Sequence, residues 1–261
     1  MKTEKSISLT RLVDYAKWSV EPYFMHNFHL YSYAKKLFHV FPFLLPHEKD
    51  YFGLKLLLPD GDGLFLDIGA NDGVSALSFR SINSRYSILS VEPNAMHKGS
   101  LQRLKKRLQR FDFRLCAAGD ETTTVTLSTP TYKGVPLHSA AFCEPAQQAV
   151  FEAEFPIHIA RRIKYVTDTV AVIKIDDLHL SPTVVKIDAE GYDLKIIRGM
   201  EETIRRCRPI LMVENNSLTL KAITKFLEGF GYEVREYDHE NNRLVRFSER
   251  PTRNVFFTLR A

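Results

Sequence analysis

Leu64-Phe65-Leu66-Asp67-Ile68-Gly69-Ala70-Asn71-Asp72-Gly73 decides how the rest of the chain is read. Leu64 to Ile68 is apolar on both alternating faces, the pattern of a central parallel strand covered on two sides. Two glycines, in G-x-x-x-G spacing, follow at once and open onto the helical run Val74 to Ser84. A tight turn between strand and helix lets a ligand approach the backbone near the helix N-terminus.

Outward from this unit the alternation continues. Ser87 to Glu92 reads as a second strand, Ala95 to Arg110 as a helix and Phe111 to Ala117 as a third strand. Thr183 to Asp188, the helix Leu194 to Arg206, Pro209 to Glu214 and the helix Thr219 to Gly229 repeat the theme, and Glu233 to Tyr237 and Asn254 to Leu259 are late strands. Such alternation predicts a doubly wound α/β sheet. Residues 1–58, rich in aromatics at partly helical spacing, predict an N-terminal helical extension to a cofactor-binding domain over residues 59–261. Thr122 to Leu127 and Val166 to Ile175 have β-type sequence around a less regular insertion, residues 130–165, expected to serve as a substrate lid.

The acids name the ligand class. Asp67 and Asp72 flank the turn, and Asn71 stands where a pyrophosphate loop of the G-x-G-x-x-G type has glycine. That spacing suits a cationic ligand better than an anionic one, and S-adenosylmethionine, with its sulfonium and amino group, fits. Glu92 closes the second strand, placed to accept hydrogen bonds from both ribose hydroxyls. Asp188, Glu190, Glu214 and Asn215 close the fourth and fifth strands and should share the same rim.

The 261 residues carry 36 basic and 31 acidic side chains, a formal charge of +5. The densest basic run, Arg103 to Arg110, has leucines at helical spacing and reads as a solvated helix face, so no nucleic-acid partner is expected. Cys116, Cys143 and Cys207 are too scattered for a disulfide framework or a metal site, which points to the cytoplasm. No run approaches the ~20 apolar residues of a membrane span.

With these segments assembled, the chain resembles the FkbM family of methyltransferases. The matching blocks are FLDIGANDGVSA, SVEPN, LCAAGDETTTVTL, IDDL and VVKIDAEGYDLKIIRGM followed by RPILMVE, in the family's order over roughly residues 64–261. The resemblance implies a class I methyltransferase fold, Rossmann-like, with seven strands of which the last is antiparallel. It also implies methyl transfer to a hydroxyl of a sugar, glycan or secondary metabolite. By position Asp67, Gly69, Ala70, Asn71 and Gly73 would meet the methionine part of S-adenosylmethionine, Glu92 the ribose, and Ala118 the adenine. Asp188 and Glu190 would face the reacting centre.

Transfer to a hydroxyl needs its proton taken. Asp188 or Glu190 is the expected base, with Asp188 also touching the cofactor and His138 of the insertion as a second candidate. A variant places Mg2+ on Asp188, Glu214 and Asn215, as in metal-dependent catechol-type enzymes. The competing readings are an NAD-dependent oxidoreductase, which should carry G-x-G-x-x-G, and a non-catalytic module, which should lose the rim acids.

Overall fold

A computed structural model describes residues 46–132, 135–137, 141–143, 145–153, 155, 157–248 and 252–260. Most of the expected extension, residues 1–45, and His138 lie outside the described residues. The strands are β1 (Leu64–Ile68), β2 (Ser87–Val91), β3 (Phe111–Arg114), β4 (Ala117–Ala118), β5 (Thr123–Tyr132), β6 (Val135–Pro136), β7 (Ile163–Ile173), β8 (Val184–Ile187), β9 (Ile210–Glu214), β10 (Tyr232–Asp238), β11 (Arg243–Arg246) and β12 (Asn254–Leu259). The helices are α1 (Asp50–Leu57), α2 (Val74–Ile82), α3 (Lys98–Arg107), α4 (Pro145–Ala153), α5 (Ile157–Ala160), α6 (Asp193–Arg198), α7 (Glu201–Cys207) and α8 (Leu220–Glu228).

The main sheet runs β11-β10-β12-β9-β8-β1-β2-β3. β3, β2, β1, β8 and β9 are mutually parallel, and β12 enters antiparallel beside β9. This is a doubly wound, Rossmann-like class I methyltransferase sheet with its last strand reversed. One strand exceeds the expected seven: β11 returns from β10 as an antiparallel hairpin and makes the edge. Side chains alternate between two cores. Leu66, Ile68, Val185, Ile187, Leu211 and Val213 fill one, with α6 to α8. Phe65, Val184, Met212 and Phe256 fill the other, with α1 to α3. The compact unit begins at Pro46, so α1, which the sequence placed in the extension, packs Tyr51 and Leu54 into that second core.

Three expectations need correcting. The third strand breaks at Leu115-Cys116: Phe111–Arg114 stays beside β2, while Ala117–Ala118 pairs with β7 in a second sheet, order β4-β7-β5-β6. The helix expected over Leu194 to Arg206 divides at Gly199-Met200, where a Cβ on Gly199 would sit 1.7 Å from the carbonyl oxygen of Gly119. The insertion is more regular than its sequence suggests. β5 and β7 pair from Thr123↔Val172 to Tyr132↔Ile163, and α4 and α5 lie between them in sequence.

Candidate cofactor site

The turn after β1 spends its own backbone donors. Gly69 and Ala70 N–H both donate to Val91 O, at 3.0 and 3.3 Å, and Gly73 N–H donates to Ala70 O at 2.9 Å. Asn71 N–H donates to Glu92 Oε2 at 2.7 Å, and Asp72 N–H to Asn71 Oδ1 at 2.8 Å. An anion-binding loop needs such amides free for phosphate oxygens. Here all five, from Gly69 to Gly73, are committed within the protein. A pyrophosphate cradle is not what this turn builds.

The turn needs its glycines. Gly69 and Gly73 have φ of +83° and +92°, and Gly73 caps α2 from the left-handed region. A Cβ on Gly69 would meet the carbonyl oxygen of Asp188 at 1.8 Å. The β1 turn and the β8 end are therefore in backbone contact, which brings Asp188 beside the loop. Asn71 and Glu190 also adopt left-handed φ, at 52° and 47°. Side chains pay for that conformation, and such strain gathers where geometry matters for function.

Carboxylates surround the turn. Asp67 is fully buried, and its Oδ2 accepts from Ser75 Oγ at 2.6 Å and Ser90 Oγ at 3.0 Å. Burial raises its pKa, opposed by Lys186. Glu92, 6% exposed, accepts from Asn71 N–H through Oε2 and from Asn94 N–H through Oε1, at 2.7 and 2.8 Å. Burial carries its pKa to about 7 despite those two bonds. Each oxygen keeps a second lone pair, the acceptor pattern a vicinal diol requires. Ala118 is buried at the join of the two sheets, and the ring of Tyr192 lies against the neighbouring Gly119.

Beyond the ends of β8 and β9 the structure brings Asp188, Glu190 and Glu214 together and adds Asp193. Pairing of Ile187 with Val213 puts Asp188 and Glu214 side by side at the strand ends. Burial, then the charges of Asp188, Glu190 and Asp193, lifts Glu214 to about 8. Burial takes Asp193 to about 6. Proton-holding character therefore falls on Glu214 and Asp193, neither of which the sequence named as a base. From the insertion, the Gln147 side chain packs on Gly191, next to Glu190.

Two of the three residues named for Mg2+ are engaged with protein groups. Asp188 Oδ2 accepts from Lys186 Nζ at 2.8 Å, and the Asn215 carboxamide donates to Thr252 O at 3.0 Å. Among the described residues no three His, Cys, Asp or Glu side chains are grouped to hold a metal. Lys186 itself was not foreseen. Its signal was available: a lysine inside the apolar run Val184-Val185-Lys186-Ile187 needs a buried partner.

A family model, the methyltransferase FkbM domain, matches residues 67–234. The chain belongs to the FkbM methyltransferase family. S-adenosylmethionine is the cofactor this membership implies, and the donor set fits it: carboxylates rather than free amides line the turn. Among solved structures, an FkbM methyltransferase from Methylobacillus flagellatus KT is similar, with a TM-score of 0.53 and 16% identity over 82% of this chain and 48% of that one. The FkbM chain described here thus spans about half of that protein's length. A precorrin-6Y C5,15-methyltransferase from Geobacter metallireducens GS-15 follows at TM-score 0.40 and 16% identity, covering 80% and 84%. An S-adenosylmethionine-dependent O-methyltransferase from Thermotoga maritima follows at 0.39 and 12%, covering 82% and 65%. No curated protein matches the sequence. Among the described residues no helix is long and apolar enough to cross a membrane.

Proposed function

We propose that the protein is an S-adenosylmethionine-dependent O-methyltransferase acting on a hydroxyl of a sugar, glycan or secondary metabolite rather than on nucleic acid. The observation that carries this reading is the turn from Gly69 to Gly73, whose amides are all committed internally while carboxylates stand around it. That chemistry favours a cationic sulfur nucleoside over a pyrophosphate dinucleotide, and so disfavours an NAD-dependent oxidoreductase.

In this reading Asp67, Gly69, Ala70, Asn71 and Gly73 hold the methionine part, Glu92 the ribose hydroxyls and Ala118 the adenine. The bound cofactor supplies an electrophilic methyl group. The chain's own work is to orient the acceptor and receive its proton, since in-line displacement depends on position and a neutral hydroxyl is a weak nucleophile. Asp188 or Glu190 takes that proton on a carboxylate oxygen. Lys186 already occupies Asp188 Oδ2, so the proton goes to Oδ1 or to Glu190. His138 is a second acceptor in the same proposal. The insertion, residues 130–165, forms the acceptor side of the site, with Gln147 against Gly191.

Calorimetry with S-adenosylmethionine, S-adenosylhomocysteine and NAD tests the assignment. Binding of the two sulfur nucleosides and not of NAD is expected; binding of NAD alone would overturn it. Comparing metabolites of cells with and without the gene, for products that lose the mass of one methylene, identifies the acceptor.

A further inference from the structure

Lys186 is the most deeply buried lysine or arginine among the described residues, and the chemistry above gives it no part beyond occupying Asp188 Oδ2. Its side chain is 2% exposed, whereas that of its partner Asp188 is 25% exposed. It sits in one cross-sheet row with Ser90, Asp67 and Met212. Met212 shows what such a position holds when no charge is needed. Burying an ion pair usually stabilises a protein no better than well-packed apolar side chains would. Packing therefore does not account for a lysine at this point.

The two ends of the pair differ in kind. The ammonium is sunk under the rim, and the carboxylate it holds stands at the rim, one backbone contact from Gly69. Burial alone would depress the Lys186 pKa. Asp188 first, then Asp67 and Glu48, outweigh burial and raise it, so the lysine stays charged.

We propose that Lys186 is a positioning residue of the cofactor site: it anchors Asp188 as an oriented anion beside the Gly69 turn, where that anion favours the cationic cofactor over its neutral product. The proposal rests on the cofactor reading above and adds to it a device for charge discrimination. S-adenosylmethionine differs from S-adenosylhomocysteine by one positive charge at sulfur. A fixed carboxylate near that sulfur distinguishes them, and a carboxylate free to turn into water does so far less.

The test is calorimetric: the ratio of S-adenosylmethionine to S-adenosylhomocysteine affinity in the wild type, Lys186→Met, Lys186→Arg, Asp188→Asn and the double variant Lys186→Met/Asp188→Asn. Asp188→Asn and Lys186→Met are each expected to lower the ratio about tenfold. The double variant should be no worse than Asp188→Asn alone, because the lysine acts through that one carboxylate. Lys186→Arg should restore part of the preference.

A ratio that rises in Lys186→Met would show the lysine to be a mere countercharge, since removing a nearby cation by itself favours a cationic ligand. Equal losses for both ligands would show a structural role only. Either result overturns the proposal, as do strictly additive effects. Should Lys186→Met fail to fold, the double variant, which removes both charges, and Lys186→Arg still give the comparison with Asp188→Asn. A wild-type protein that binds neither ligand would instead sink the cofactor assignment itself, and this inference with it.

Discussion

Asn254, at the start of the last strand, donates from its side-chain amide to Glu48 Oε2 at 2.8 Å and to Asp50 Oδ2 at 3.0 Å, clasping residues more than 200 positions earlier in the chain. Its backbone N–H adds a third bond, to Asp50 Oδ2, at 3.1 Å. All three residues are buried, and Glu48 also meets His47 and Arg253. The clasp ties the segment that carries α1 to the strand beside β9. Hydrogen bonds to charged groups are worth more than neutral ones, and buried carboxylates deprived of donors are costly. Asn254→Ala is therefore expected to cost about 3 kcal/mol in urea denaturation. Asn254→Asp should cost more, because it places a third carboxylate against the other two.

Gly69→Ala meets two obstacles at once, a φ of +83° and the carbonyl oxygen of Asp188. It is expected to lose on the order of 3 kcal/mol of stability and to abolish S-adenosylhomocysteine binding. Thermal denaturation and calorimetry read the two effects separately. A variant that binds as the wild type does would remove the turn from the cofactor site.

Glu92 makes a pH prediction with a definite sign. Its pKa is about 7 in the folded protein against 4.5 ordinarily. Between those values the folded state binds more protons than the unfolded one, so stability falls as pH rises across this window. By pH 8 the loss amounts to on the order of 3 kcal/mol. Glu214 and Asp193 slope the same way, so the difference between wild type and Glu92→Gln isolates the contribution of Glu92. Affinity for S-adenosylhomocysteine should rise as pH passes through 7, because ribose hydroxyls bond best to the ionised carboxylate. Glu92→Gln should bind weakly with no such rise.

With Lys186 on Asp188 and Asn215 turned to Thr252, two of the three residues named for Mg2+ already have protein partners. A strong chelator is expected to leave S-adenosylhomocysteine affinity unchanged. A loss restored by Mg2+ would return Asp188, Glu214 and Asn215 to the role the sequence suggested.

The turn after β1 was legible because its signal is local. A buried strand, two glycines and a helix follow one another within twenty residues, and Glu92 closes the next strand. Asp188 and Glu190 were legible for the same reason. Lys186 was overlooked although a lysine in an apolar run was a signal, because one of its acids, Asp67, comes beside it only through strand pairing. β11 is short, and just Leu244 and Val245 separate its two arginines, too little alternation to mark a strand ahead of the paired edge. The insertion looked irregular because its hairpin is stabilised across more than thirty residues, as in the pairing of Thr131 with Lys164. Periodicity cannot report a partner so distant.

The second sheet follows the main one across the break at Leu115-Cys116, and its short seam sets Ala117 opposite Val172 and Ala118 opposite Ile173. Beyond that seam, β5 and β7 extend as a long ribbon carrying the helices between them. The ribbon's distal half reaches back to the end of β2: Asn94, whose N–H donates to Glu92, donates from its side chain to Thr129 Oγ1 at 3.3 Å. A shift of β5 at Thr129 is thus relayed to the carboxylate of Glu92 through a single intervening residue.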